Sequence, residues 1–500
     1  MYLRFWPLAG LAVILASCST PPGKAEPSVD ETLASATGIS REDRVARAPS
    51  RSVPDFEGTV ATPKPLPPLP MPAHPYQNNN GYAGAHADSY NSGTIPAAGP
   101  LGKDLQVNAY RVEQHPAYCS VQHFDAKGRV ITVCVGRKTA TKLLLLEPET
   151  MGLLDEYELP PMAGFYFRMD QQGRVVIPVG DMSMQTFEII ENSDGPKWHL
   201  VRRQDISSAV PAEHKGPMTF PLDLVADWQG NWWFSILRPA AVGYITPEGE
   251  VHSHLFEGEV IANGLAANPE GVHFVTDHNL YSMKVGAEEP EVTLRMPYEV
   301  GEDASKESFG SGSGTTPVIF GDNLIAFGDN ADPRPNVLVY RLGDVPEEQR
   351  LVCKVPVFKP GRSVLENSFI GYGNSLVIEN NKGFKMVGSS ADAETGFVRI
   401  DVRDDLSGCD TVWENYDVRA GTGAKLSLGN GLIYVHELLL GTDDDWYITT
   451  IDFETGKTVW RHHLGTGVDW DNALLTMSIS PKGVITSGMF TGVLGAQDSP

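Results

Sequence analysis

The chain has 500 residues and carries 63 acidic against 39 basic side chains, a formal charge of −24 at pH 7. With no basic aromatic stripe, that balance argues against nucleic acid as a partner, because phosphate binding needs clustered Lys and Arg. The acidity bears on solubility and on steering of ligands, and names none of them.

At the N-terminus, Arg4 precedes the apolar run Leu8 to Leu15, and Leu15-Ala16-Ser17-Cys18 follows. A short charged start, an apolar stretch too short to span a bilayer and small residues before a cut site make 1–17 a secretory signal. The four-residue ending resembles the bacterial lipobox, whose cysteine becomes the lipidated, palmitate-bearing first residue of the mature chain. Ser19 in place of an aspartate after Cys18 then implies a lipid anchor in the outer membrane of a Gram-negative bacterium, facing the periplasm or the cell surface. Residues 18–103 read as the lipidated cysteine and a disordered tether. Prolines cluster from Pro63 to Pro75, Asn78-Asn79-Asn80 follows, and no apolar period appears, so the segment lacks the apolar surface to offset the loss of chain entropy. A flexible tether of this length spans about 50 Å root mean square. The alternative reading is that the proline tract docks on a partner as a polyproline helix.

From 104 to 500 a loose unit of about 40 to 50 residues recurs, the signature of a β-propeller. Each unit has a polar turn, as in Asp125-Ala126-Lys127-Gly128, Asp170-Gln171-Gln172-Gly173, Asp227-Trp228-Gln229-Gly230, Asn268-Pro269-Glu270-Gly271 and Ser480-Pro481-Lys482-Gly483. Glycine supplies the positive φ of such hairpins. An apolar second strand follows each time, at Val130 to Val135, Val175 to Val179, Trp232 to Leu237, Val272 to Val275, Leu324 to Phe327, Leu376 to Ile378, Leu432 to Val435 and Val484 to Ile485. The last unit has room for three strands, and the alternating segment Leu105 to Val112 supplies the fourth. The expected fold is all-β, an eight-bladed propeller closed by its two ends, with seven blades as the alternative count.

The turn Thr455-Gly456-Lys457-Thr458-Val459-Trp460 resembles the blade repeat of the quinoprotein alcohol dehydrogenase-like (PQQ-repeat-type) eight-bladed propellers. The resemblance covers the ring as architecture and one repeat closely, so it speaks for fold. The dehydrogenases of that superfamily hold their quinone with a vicinal Cys-Cys pair that this chain lacks, and no Cys-x-x-Cys-His haem site occurs, so PQQ is not expected as a cofactor. Another relative of that type, the outer-membrane assembly lipoprotein of Gram-negative bacteria, is a lipid-anchored ring without catalysis.

Four cysteines remain after Cys18, and an exported compartment lets them pair. Cys119 and Cys134 flank the Asp125 to Gly128 turn almost symmetrically, which brings them opposite each other in a hairpin. Cys353 falls in the outer strand of one unit and Cys409 just before the outer strand of the next. Two disulfides are expected, Cys119 with Cys134 and Cys353 with Cys409; four free thiols are the alternative, and no spacing is that of a zinc site.

Residues that close the second strands should converge at the channel mouth. Asp329, Asn330 and Asp332, on a loop stiffened by Pro333 and Pro335, are the hard oxygen donors that calcium takes; a tight connection in which Asp and Asn satisfy backbone donors is the competing reading. Asp277, His278, His436 and Glu437 hold corresponding points on other blades and are expected to line the same mouth. The whole reads as a binding or scaffolding lipoprotein for an envelope protein, an oligosaccharide or another polar ligand. The alternative is an enzyme at the channel: a metal-assisted lactonase or hydrolase, or a quinone-dependent dehydrogenase.

Overall fold

The computed structural model of the protein describes residues 54–78, 82, 84–112, 117–136, 141–301, 312–384, 393–439, 445–472 and 474–499. Cys18 and the signal segment lie outside them.

Eight antiparallel sheets follow one another along the chain, and seven are built in strict order from inner to outer strand. Blade 1 begins at Ala117–Phe124, blade 2 at Arg168–Met169, blade 3 at Pro221–Ala226 and blade 4 at Ala266–Asn268. Blades 5, 6 and 7 begin at Val318–Phe320, Ile370–Tyr372 and Lys425–Ser427. Blade 8 takes Met477–Ile479, Ile485–Met489 and Gly492–Asp498 from the C-terminus, and its outer strand, Leu105–Arg111, from the other end of the ring. All eight apolar runs read from the sequence are second strands, and the ring closes as expected, with no open flank between the first and last blades.

The recurring turn has a physical cause. In blade 1 the Asp125 carboxylate accepts the backbone N–H groups of Lys127 (3.0 Å) and Arg129 (2.9 Å) and pairs with the Arg129 guanidinium. Asp170 does the same for Gln172 and Arg174. Asp227 holds Gln229 and Asn231 and also accepts the indole N–H of buried Trp233 at 2.8 Å. A short side chain that satisfies two backbone donors turns the chain, and the following residues run on as the apolar second strand.

Between blades the core is apolar. Trp233, Val242, Phe256 and Phe274 lie in one cluster shared by blades 3 and 4, where a fully buried side chain of that size contributes roughly 1.5–3 kcal/mol. Blade 6 docks on blade 7 through Trp413, whose indole N–H donates to Phe453 O at 2.9 Å. It lies on Gly456, where a Cβ would come within 2.4 Å of the ring, so the turn of blade 7 has no room for a side chain. Two disulfides add covalent ties. Cys119 and Cys134 face each other directly in the first hairpin, and Cys353 joins the outer strand of blade 5 to Cys409 in the outer strand of blade 6. Both pairings are those read from the sequence.

The expectation of a disordered tether reaching to residue 103 needs correction over its C-terminal half. Phe56–Gly58 adds a strand to the outer edge of blade 7. The chain then crosses blade 7, with Lys64 N and Leu66 N donating to Asn430 O and Leu428 O, and reaches blades 2 and 3 through Gln77 and His74. Residues 84–95 fill the centre of the ring. Ser89, Tyr90, Ser92 and Gly93 offer their carbonyls to the inner-strand N–H groups of Ala267, Ile319, Gly371 and Leu426, one each from blades 4 to 7, at 2.7 to 3.0 Å. Thr94–Ile95 pairs in parallel with Lys425–Ser427, and Leu101, Gly102 and Lys103 donate to the Asp498 carboxylate of blade 8. Inner strands leave a row of unpaired donors toward the axis, and a buried donor must find a partner. The segment supplies those partners with its backbone, so its composition, poor in large apolar side chains, does not prevent it from being held.

Candidate binding face

The loops that follow the second strands and the crossovers that enter the next inner strands gather on one face. Residues 84–95, the hub, bond the inner strands of blades 4 to 7 and the buried Arg168. Arg168, at the start of blade 2, is buried and donates to four acceptors: Leu224 O, Asp88 O, Asp223 Oδ2 and Leu265 O, at 2.9 to 3.1 Å. Asp88 in turn caps the hub's own turn by accepting from Tyr90 N and Ser92 N. His86 lies 3.2 Å from the Ser368 hydroxyl, and burial together with the nearby Lys425 and Arg168 charges holds its imidazole neutral.

A second buried group sits between blades 6 and 7. Burial pushes the Glu379 carboxyl up to about 7, and burial pushes the Lys425 ammonium down to about 8 against the pull of Glu379. The Lys425 Nζ donates to Gly423 O at 3.0 Å, and Asn381 Nδ2 donates to Glu379 Oε1 at 3.3 Å. These charges are packed into the ring and do not line an open cleft.

The residues singled out from sequence are distributed and do not converge. Asp329 is fully buried: its Oδ1 accepts Ala331 N and Asn336 N, its Oδ2 accepts Asn336 Nδ2, and the Lys354 ammonium lies 3.6 Å away. Burial raises its pKa. Asn330 spends its amide on Leu365, donating to the carbonyl and accepting from the N–H. The carboxylate and the amide are thus engaged in holding the loop, and this donor set does not fit calcium, which needs six or more outward oxygens. Asp332 is exposed and borders a cleft with Arg334, Ser363 and Lys382.

Asp277 accepts Val260 N at 2.9 Å, and its Oδ1 lies 2.8 Å from Nδ1 of exposed His278, so this pair braces the crossover between blades 3 and 4. His436 and Glu437 are neighbours on one strand and therefore face opposite ways. His436 points to blade 8, with Nδ1 2.9 Å from Ser487 Oγ, and burial lowers its pKa to about 3. Glu437 points to the blade 6 side, where it accepts from Arg461 Nε at 2.8 Å and from the Thr449 hydroxyl at 2.5 Å. Among the described residues no three His, Cys, Asp or Glu side chains are grouped as a metal site would require.

Sequence reasoning passed over Arg168, Asp223, His86 and Asp88. Arg168 was legible in one respect only, as a lone cation opening an inner strand. The hub residues carried no signal, since nothing in their pattern differs from a solvated linker.

No family model matches the sequence, and no curated protein matches it. Solved structures resemble it at low identity. A streptogramin B lyase is 9% identical over 79% of this chain and 98% of its own, with a TM-score of 0.41. A Chaetomium thermophilum protein bound to the N-terminus of ribosomal protein L10 is 10% identical over 79% and 97%, with a TM-score of 0.47. A putative 6-phosphogluconolactonase from Bacteroides fragilis is 11% identical over 73% and 97%, with a TM-score of 0.38. The chain is an eight-bladed propeller by its own sheet topology. The quinoprotein kinship expected from the Thr455 to Trp460 turn finds support only as far as that fold.

Proposed function

We propose that this chain is an exported, lipid-anchored propeller of the Gram-negative outer membrane that binds or scaffolds an envelope component and catalyses no reaction. The observation that carries the reading is the filled channel: residues 84–95 occupy the axis where a propeller enzyme would hold its substrate. Support also comes from Asp329, Asn330, His436 and Glu437, whose polar atoms are committed to the fold. The anchor reading rests on Leu15-Ala16-Ser17-Cys18; acyl chains contribute about 0.8 kcal/mol per buried methylene to membrane attachment.

Metabolic labelling with a fatty-acid probe, paired with cross-linking and pull-down from envelopes, tests both halves. The native chain should take the label and the Cys18→Ser chain should not, and a defined envelope component should be captured by the native ring. Label retained on Cys18→Ser would end the anchor reading. Turnover of lactone or ester substrates by the purified ring would move the function to the metal-assisted lactonase or hydrolase alternative. Quinone-dependent oxidation lacks the cysteine pair its relatives use.

A further inference from the structure

We infer that the outer rim of blade 3 carries a chelating site for a late first-row divalent cation, zinc or copper, built on His252 and His254. The site is independent of the binding reading above and lies away from the residues discussed for it.

Both histidines belong to the outer strand Val251–Phe256, two positions apart. Residues with that spacing share one face of a strand, about 7 Å from each other. Ser253 between them turns the other way, its hydroxyl donating to Ala209 O at 3.0 Å on the blade 2 side. His252 and His254 turn toward blade 4 and meet adjacent residues, Glu288 and Glu289, of the connection between Asn279–Lys284 and Glu291–Pro297. The two rings therefore stand side by side.

Their partners decide which nitrogen is left over. His252 Nδ1–H donates to Glu288 O at 2.9 Å, and His254 Nδ1 lies 3.4 Å from Glu289 Oε2. A carbonyl and a carboxylate only accept, so in the neutral rings each Nδ1 carries the proton and each Nε2 keeps its lone pair. An imidazole that ligates a metal through one nitrogen is held in this way through the other. The rings are braced as well: His252 stacks on Tyr244 at 4.9 Å between centroids, and His254 meets Phe256 edge-on at 4.8 Å. Their side chains are 26% and 33% exposed, so an ion reaches them at the rim and needs no cavity.

A third donor stands close by. Glu250 Oε2 lies 3.8 Å from His252 Nε2, on a side chain that is 75% exposed. Two donors each about 2.1 Å from one tetrahedral ion are about 3.4 Å apart, a spacing that a small turn of the Glu250 side chain reaches. Among the described residues no three donors are already closed on one point. The strand offers two braced imidazoles and one movable carboxylate, which suits an exchangeable ion at the surface and not a buried structural centre. Imidazole nitrogens select zinc and copper over calcium and magnesium, and the acidic surroundings draw cations in.

Isothermal titration of the purified full-length chain, free of any histidine tag, with Zn²⁺, Cu²⁺ and Mg²⁺ tests the site. Zn²⁺ is expected to bind, Cu²⁺ to bind more tightly, and Mg²⁺ to give no heat. His252→Gln and His254→Gln should each weaken Zn²⁺ at least about tenfold. His199→Gln, which removes an exposed histidine from the outer strand of blade 2, should leave the affinity as it was. Urea midpoints of the variants separate lost ligation from lost folding. Electron paramagnetic resonance of the native chain with Cu²⁺ should show two ring nitrogens on the ion, a signature that needs no variant. Zn²⁺ affinity that survives in His252→Gln/His254→Gln, no binding of either metal below about 1 mM, or a copper spectrum without imidazole nitrogen overturns the site.

Discussion

Replacing Arg168 with Met should be among the most damaging single changes available in this ring. The Arg168 and Asp223 side chains are 1% and 0% exposed, and removing one partner of a buried pair costs about 3–5 kcal/mol because the other charge stays uncompensated. Met keeps most of the apolar stem, so packing loss is small. Three carbonyls, those of Asp88, Leu224 and Leu265, lose their donor in addition. Against a total stability of about 5–15 kcal/mol, the loss from the pair alone is about a fifth or more. Urea unfolding followed by tryptophan fluorescence gives the number. A double-mutant cycle with Asp223→Asn isolates the pair, with a coupling of at least about 2 kcal/mol expected. Limited proteolysis should cut first within residues 54–103, because Arg168 is the side chain that ties Asp88 to blades 2, 3 and 4. A penalty under about 1 kcal/mol, or zero coupling, would refute the idea that this contact holds the hub.

Gly84→Ala attacks the same contact from the hub: a Cβ would meet Arg168 Nη1 at 2.1 Å, and a side chain pinned by four bonds cannot yield, so a loss of about 1–3 kcal/mol is expected; an unchanged urea midpoint would contradict it. The Cys353–Cys409 bond closes 56 residues, for which the chain-entropy model gives about 4 kcal/mol, so Cys353→Ser/Cys409→Ser should unfold at lower urea than the native chain; identical midpoints with and without reductant would mean the bond contributes nothing. His273 is buried between Ser282 and Asn268, and burial lowers its pKa to about 3. The unfolded chain takes up this proton below about pH 6.5 while the native chain does not, so its share of stability, whole above that pH, drains away as pH falls toward 3. His273→Gln should flatten the acid slope between about pH 6 and 4 by up to about 1.4 kcal/mol per pH unit; an unaltered slope measured by urea titration at stepped pH would count against the buried neutral imidazole.

The ring was legible because its cause is local. An Asp or Ser that caps a turn, a Gly two or three residues on and an apolar run are all neighbours in sequence, and each repeats wherever the chain does. The same is true of Cys119 and Cys134, which a hairpin sets opposite each other. What could not be read depends on partners far away in the chain. Asn91 is held by Leu265 O and Pro317 O, and Ser92 by Gly371 N; no pattern within 54–103 announces those contacts. The candidate site failed for a second reason. His436 and Glu437 end one second strand, and position along a strand was taken as direction, whereas the alternation of side chains sends one to blade 8 and the other to the blade 6 side.

The hub also sets an order of events. Residues 84–95 are made long before the blades that grip them: Asn91 bonds Pro317 across 226 positions, and His86 meets Ser368 across 282. Contacts of such separation form late and slowly, since the entropy of closing so large a loop comes due before they contribute. Ser89, Tyr90 and Ser92 find their partners as blades 4, 5 and 6 are made, and Gly93 and Thr94–Ile95 must wait for blade 7. A chain cut short before blade 7 would keep the partners of Ser89, Tyr90 and Ser92 and lose those of Gly93 and Thr94–Ile95.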